Sequence, residues 1–379
     1  YTIRFVMADG TYKYDTTYDR GTTTYRASLS GNLDQYTSYV DNFADMSLNL
    51  QTGTGEYRPE HYNGRQVSIW GTVEVANAND FEHLSWIING GIPLEIDGKY
   101  YNMRSVATIS VSLLADIDLK AERTAIIGGK TVYLNRVGGN AGGTLIQNGF
   151  RGFGVNDMMP FRGSLYGNGH TLTVDMDFED GYAVGIINVA NEQSEEPVVE
   201  DLTVRGSIRG RERVGIVGLI NMYMVGSQKY RFRNVTNEAD ITADTDAAGL
   251  VGMPQFATVT VENCANYGTI TARTRAAGLI GYTYGGGLIG NVKFEGISTN
   301  GGCVIATDEK GLKSYFALHT GTTEFGKDAL VELIYTFDVG KANLSLTVDG
   351  KSYMSGPDGR ARISAVSASN VDDMKAITF

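Results

Sequence analysis

The sequence predicts an all-β fold: a right-handed parallel β-helix with coils of about 29–30 residues, a short capping α-helix, and small antiparallel β units at either end. Three observations predict it. Segments recur at a near-constant offset through the middle of the chain. The 379 residues hold 48 Gly, 22 Tyr and 14 Phe against 6 Pro, a mixture suited to many short strands and tight turns. Only one stretch shows helical periodicity.

Residues 1–76 read as an N-terminal β-rich unit. Ile3 to Met7 leads into Ala8-Asp9-Gly10, a two-residue hairpin signal, and Val67, Ile69, Val73 and Val75 fall on one face of a period-two pattern. The helix comes next. Asn77 or Asn79 caps it, Phe81, Leu84, Ile87 and Ile88 recur at helical spacing, and Asn89-Gly90-Gly91 stops it. A short amphipathic helix followed only by strands suits the open end of a β stack, where an uncovered edge invites pairing with other chains.

Residues 77–318 hold this helix and the repeats. Leu172-Thr173-Val174 aligns with Leu202-Thr203-Val204, and Val184-Gly185-Ile186 with Val214-Gly215-Ile216, both at an offset of 30. Asn234, Asn237, Ile241, Gly249 and Gly252 align with Asn263, Asn266, Ile270, Gly278 and Gly281 at an offset of 29. Four similar segments follow: Gly215-Ile-Val-Gly218, Gly249-Leu-Val-Gly252, Gly278-Leu-Ile-Gly281 and, off period, Gly287-Leu-Ile-Gly290. A constant offset implies identical backbone paths stacked ~4.8 Å apart. Each corner glycine then turns with positive φ or lets a neighbouring coil approach closely. Residues 319–379 read as a C-terminal antiparallel unit: Val331, Leu333, Tyr335, Phe337 and Val339 alternate, Leu344, Leu346 and Val348 run into Asp349-Gly350, and Pro357-Asp358-Gly359 marks a further turn.

Taken in order, these segments resemble the bacterial cell-surface proteins that carry GLUG repeats. Asp80-Phe81-x-x-Leu84-Ser85-x-x-Ile88-Asn89-x-Gly91 looks like that family's opening helix, and Leu114-Ala115-Asp116-Ile117-Asp118-Leu119 like its first strand. Phe161-Arg162-Gly163-Ser164-Leu165-Tyr166-Gly167-Asn168-Gly169-His170-Thr171-Leu172 is similar to its F-x-G-x-x-x-G-N-G-H-x-[IL] element. The resemblance covers about Asn79 to Gly290 and is interrupted at Lys130 to Met158, which has the form of an insertion. It implies a parallel β-helix and a surface location. It implies no catalytic residue, because the family carries no single activity.

Two readings compete for the charged residues. Asp175, Asp177 and Glu179 put three carboxylates on one strand face, which on a β-helical scaffold suits Ca²⁺ binding or the acid and base of a polysaccharide lyase or glycosidase. Stacking gives the other account. Arg211, Asp244 and Arg273 form one column of alternating charge and Arg213, Asp246 and Arg275 a second, while the 30-residue offset sets Asp175 beneath Arg205 and Glu179 beneath Arg209. Cross-strand pairing of this kind fixes register and is preferred, since each acid already has a basic partner.

The aromatic content is the best sign of ligand binding. Tyr223, Tyr230, Tyr267, Tyr282 and Tyr284 lie in or beside coil turns, where rings stack on sugar faces, and with Arg211 and Arg213 they suit an acidic glycan. Tyrosine is also a good strand residue, so edge packing is the competing account. Cys264 aligns with Val235 and is expected to face inward as a small hydrophobe. Cys303 falls a non-integral number of coils away, so no disulfide is expected. His170, in its Gly-Asn-Gly-His turn, is assigned a structural hydrogen bond.

Two functions from different classes follow. The first is a cell-surface or secreted, adhesin-like interaction protein that binds glycans through its tyrosine-rich turns; the alternative is a polysaccharide lyase or glycoside hydrolase with Asp175, Asp177 and Glu179 as its acidic centre. The expected partner is a glycan or a surface protein. With 43 acidic against 32 basic residues and a net charge of −11, the surface repels nucleic acid and anionic lipid. No apolar stretch reaches the ~18 residues of a membrane span. The first residue, Tyr1, stands inside a strand-like run, which favours a processed or trimmed N-terminus over a cytoplasmic start and leaves open a lipid anchor lost with it. No cofactor is expected, Ca²⁺ being the one candidate ion, and the sequence does not specify an oligomeric state.

Overall fold

The computed structural model describes residues 2–6, 12–17, 23–27, 46–51, 69–88, 94–96, 99–101, 107–120, 124–127, 130–133, 150, 152–154, 160–178, 181–191, 196–221, 228–282, 290–318, 321–336, 345–348, 351–354 and 360–365. It is a parallel β-solenoid of about 4 turns, mostly strand with almost no helix. One coil illustrates the path. Gln228–Ala243 lies in a first, long sheet, Asp246–Ala248 in a second and Val251–Gln255 in a third, after which Ala257–Glu262 returns beneath the start of the coil. Parallel pairing runs from Ile69–Val75, on Ala107–Leu113, to Leu330–Thr336, on Ile297–Asn300.

Antiparallel strands meet the stack at both ends. Met46–Gln51 pairs with Ile69–Val75, and Arg360–Ala365 pairs with Leu330–Thr336. Thr2–Val6 pairs antiparallel with Tyr12–Thr17, while the hairpin signal at Ala8-Asp9-Gly10 lies outside the described residues. The helix spans Ala78–Ile88, one residue after the Asn77 cap position, and the Phe81 amide donates to the Asn77 carbonyl at 3.1 Å. Its apolar face buries Phe81, Leu84 and Ile88, and the Phe81 ring meets Phe150 at 5.0 Å and Phe153 at 5.1 Å. Phe153 bridges to Ile187 of the third sheet, so the helix closes the core at that end, as its periodicity implies.

The 29-residue register holds throughout its coil: Asn237 pairs with Asn266, Ile241 with Ile270 and Asp246 with Arg275. Of the two segments aligned at 30, only the one at Val184 keeps that register: Val184 pairs with Val214 and, in the third sheet, Ile187 with Val217. Leu172 pairs with Val204, not Leu202, and Leu165 pairs with Val199. The offset therefore falls from 34 to 32 to 30 within one coil, because the coil that starts at Leu165 has two more residues than the next in each of two turns. A two-residue slip keeps every side chain on its face, so hydrophobic alternation cannot reveal it.

Corners are built in two ways. Asp201, Asn234, Asn263 and Gly296 occupy the same corner of successive coils, with φ of 49°, 53°, 52° and 60°. Asx side chains bond locally and tolerate this left-handed region. Asn234 Nδ2 donates to Asp201 Oδ1 at 2.7 Å, and the Ile297 amide to Asn263 Oδ1 at 2.9 Å. The Gly-x-x-Gly segments serve the other purpose, close approach without positive φ: a Cβ on Gly281 would stand 1.9 Å from the Gly252 carbonyl oxygen.

Inward side chains form continuous columns. One reads Ile117, Leu172, Val204, Asn237, Asn266, Asn300 and Leu333. Its three asparagines are wholly buried and bond to one another, Asn237 Nδ2 to Asn266 Oδ1 at 2.7 Å and Asn266 Nδ2 to Asn300 Oδ1 at 2.8 Å. Cys264 lies in the core opposite Val235, and burial pushes its thiol up to about 12. Cys303 is exposed, and both thiols are free.

Candidate functional site

Alternation in the short second-sheet strands sends Val214, Ala247 and Ala276 into the core and Ala183, Arg213, Asp246 and Arg275 outward. These outward residues stack at successive coils, ~4.8 Å apart. Two tyrosines flank them. The Arg213 guanidinium lies 3.9 Å from the centre of the Tyr182 ring, and that of Arg275 lies 4.2 Å from the centre of Tyr282. Each pair is within cation–π range.

Asp246 binds this row together. It accepts both Nε and Nη2 of Arg275, the latter at 2.8 Å, in the planar fork geometry that suits a carboxylate. Its side chain is 4% exposed although it points outward. Burial raises its pKa above the ordinary value, while the Arg275 hydrogen bonds and the charges of Arg275 and Arg213 pull the other way. Arg213 places Nε 3.1 Å from Met253 Sδ and Nη1 3.3 Å from Glu212 Oε2.

Burial of outward residues identifies a re-entrant corner. Val189, Leu219 and Met253 stack on the third sheet and form a buried apolar cluster with Ala183. Ala248, Ala277 and Leu318 form a second cluster under Tyr282. The Gly-x-x-Gly segments stand at the bend between these two sheets, where backbone from adjacent coils leaves no room for a Cβ. The chain thus folds its second and third sheets toward each other on the outside. The corner so formed holds fixed aromatic rings and planar cations over an apolar floor.

The structure sorts the residues singled out from the sequence. Arg213 and Tyr282 belong to this row. Arg211 is exposed at its margin and donates Nη2 to Glu212 Oε1 at 3.0 Å. Its expected column stacks through the backbone, the Asp244 amide donating to the Arg211 carbonyl at 3.0 Å, but Arg273 pairs with Asp308 at 3.4 Å. Tyr230 is corrected: it is wholly buried on the inner side beside Phe232 at 5.4 Å, burial raises its pKa, and no glycan can reach it. It stands two positions before the inward Phe232 and pairs with the buried Val259, so its place on the inner face follows from the register.

The acidic centre is also rearranged. Asp175 faces Ser207 rather than Arg205 and accepts its hydroxyl at 2.6 Å; Asp177 is the register partner of Arg209 and lies 3.6 Å from it. Arg205 instead donates to Glu238 at 2.5 Å. The shift follows from the 32-residue register of this strand pair. Glu179, Tyr223 and Tyr284 lie outside the described residues. Among the described residues no group of three or more His, Cys, Asp or Glu side chains is placed to hold a metal, and no helix is long and apolar enough to cross a membrane. His170 keeps its expected role: its Nδ1 lies 3.3 Å from Asp116 Oδ1, which also accepts the Thr171 amide at 2.9 Å. That amide, ahead of the His170 contact, lowers the Asp116 pKa.

A separate charge grid covers the outer face of the first sheet. Arg231 reaches Glu295 at 2.8 Å, Glu262 at 3.0 Å and Glu196 at 3.5 Å, while Arg233 pairs with Glu200 and Lys293 with Glu295. Its acids and bases satisfy one another across coils, the arrangement expected of register-fixing pairs. Sequence reasoning missed Tyr182. The signal was available, since Tyr182 immediately precedes Ala183 in the segment that aligns with Arg213.

No protein-family model matches the sequence, so the resemblance to GLUG-repeat proteins rests on the residues quoted above. No curated protein matches it. Among solved structures, one described as "a putative immunoglobulin A1 protease from Bacteroides ovatus" aligns with a TM-score of 0.40 at 12% identity, over 76% of this chain and 80% of that one.

Proposed function

We propose that this protein is a cell-surface or secreted, adhesin-like interaction protein that binds a glycan on the outer corner formed by Tyr182, Arg213, Arg275 and Tyr282. One observation carries the reading: two tyrosine rings each have a guanidinium over them, 3.9 Å and 4.2 Å from the ring centre, Tyr182 while 46% exposed. A ring fixed before binding loses little rotamer freedom when a sugar stacks on it. The neighbouring guanidinium and phenol groups supply hydrogen-bond donors for sugar hydroxyls. Asp246 and the apolar floor hold the row rigid, which suits recognition by a scaffold whose own shape does not change.

The test is binding to a panel of immobilised neutral and acidic polysaccharides, with Tyr182→Ala and Tyr282→Ala alongside the parent protein. Each substitution is expected to weaken binding about tenfold, or ~1.4 kcal/mol, within the range of a stacking contact. Unaltered binding by both variants overturns the reading. The same panel, run with and without Ca²⁺ and read for release of reducing ends, covers the enzymatic alternative. Turnover abolished by Asp175→Asn would make the protein a polysaccharide-degrading enzyme.

A further inference from the structure

The Tyr182 to Tyr282 row has a direction, a length and a charge, and together these describe the ligand more closely. We infer that the glycan is a linear, neutral chain lying parallel to the solenoid axis, with one sugar unit per coil and about four units in contact. The inference rests on the glycan-binding reading above.

Direction and length come from the register. Ala183, Arg213, Asp246 and Arg275 are consecutive partners in the second sheet, and Tyr182 precedes the first of them while Tyr282 covers the last. Three inter-coil steps of ~4.8 Å separate the ends, a span of about 14 Å along the axis. An extended chain of pyranose units advances by about the same step per unit, so the sugars and the coils keep pace over this distance. A chain lying across the row would leave one tyrosine at most. The buried apolar row of Val189, Leu219 and Met253 that supports these side chains runs along the axis too.

Charge selects the class. Arg275 is met by both oxygens of Asp246, and Arg213 and Arg211 are both met by Glu212. Each of these three cations therefore already has a carboxylate partner within the corner, and a uronate or sulfate arriving there would face Asp246 and Glu212. Neutral hydroxyls meet no such penalty. They accept from guanidinium edges without displacing a carboxylate. This replaces the acidic ligand that Arg211, Arg213 and the tyrosines suggest in the sequence.

Titration calorimetry with length series of cello-, manno- and xylo-oligosaccharides, beside oligogalacturonates, tests the inference. In at least one neutral series affinity should rise with each added unit and level off at about four, with little dependence on salt. Tyr182→Ala should bring the plateau to a shorter chain, and Tyr182→Phe should restore it, which separates ring stacking from any effect on folding. An affinity independent of chain length, or tighter binding of oligogalacturonate than of every neutral chain, overturns the inference and leaves glycan binding intact. Absence of binding to all chains overturns both.

Discussion

The buried asparagine column permits a quantitative test of what holds the coils in register. In Asn266→Val, three hydrogen bonds disappear: the donation from Asn237 at 2.7 Å and the donations to Asn300 at 2.8 Å and to the Gly268 carbonyl at 3.1 Å. Asn237 Nδ2 keeps the Ala239 carbonyl at 2.9 Å, but Asn300 Oδ1 loses its donor in a wholly buried position. Stranded groups cost ~1–3 kcal/mol each, and the buried valine methyls return about 1, so the expected loss is about 3 kcal/mol. The triple replacement of Asn237, Asn266 and Asn300 by Val extends the apolar column that Val204 begins. Single changes remove four ladder bonds between them, counting each end, whereas the triple removes two. The triple should therefore cost about 2 kcal/mol less than the sum of its singles. Guanidinium denaturation of the four variants measures both quantities. A loss below ~1 kcal/mol for Asn266→Val, or strict additivity, would refute the account of a cooperative ladder.

Further outcomes are expected. Gly281→Ala, whose Cβ meets the Gly252 carbonyl oxygen at 1.9 Å, should destabilise by ~3 kcal/mol or more, because the clash is with backbone. Gly169→Ala meets no atom within 4 Å and should cost only the ~1–2 kcal/mol of its left-handed φ; equal melting temperatures for the two would contradict this. A thiol reagent should label Cys303 in the native protein and Cys264 only in denaturant, because burial pushes the Cys264 thiol up to about 12; mass spectrometry counts the adducts. Asp246→Ala should lose ~3 kcal/mol, at the lower end for a broken buried pair because Arg275 keeps 19% exposure, and adding Arg275→Met should recover part of it in a double-mutant cycle. Glu295 is held below its ordinary value of 4.5 by Lys293 first and then Arg231, so the stability it contributes is present above that value and lost as pH falls through its native pKa. Glu295→Gln should flatten acid denaturation over that window.

The architecture is legible because a parallel stack writes itself into the sequence: Asn237 over Asn266 and Ile241 over Ile270 share an environment, so the same residue types recur. Legibility fails where turns change length by two. Leu202 and Val204 are both buried, so either serves as the partner of Leu172, and the charge pairs computed from the wrong choice move with it. The corners mislead for another reason. Glycine is the obvious residue for positive φ, yet Asp201, Asn234 and Asn263 adopt it while the repeat glycines yield space to neighbouring backbone. In the candidate site, Arg213 over Asp246 over Arg275 follows from the register alone. The Met253 contact does not, because it reaches the row across the angle between two sheets, and no periodicity along the chain encodes that angle. Tyr230 shows the converse: its residue type suggests a surface ring, and only its place on the inner face shows otherwise.

The coil-to-coil hydrogen bonds run along the solenoid axis, and this gives the molecule a mechanical character. A pull between its two ends loads those bonds one layer at a time, as in a zipper, rather than shearing many together. A coil of 29 residues, such as the one from Asn237 to Asn266, occupies a single layer of the stack. Once peeled away it spans about 100 Å at ~3.4 Å per residue, some twenty times the ~4.8 Å it contributed when folded. Force along the axis is thus absorbed in steps of large extension, and the layers that remain keep their shape.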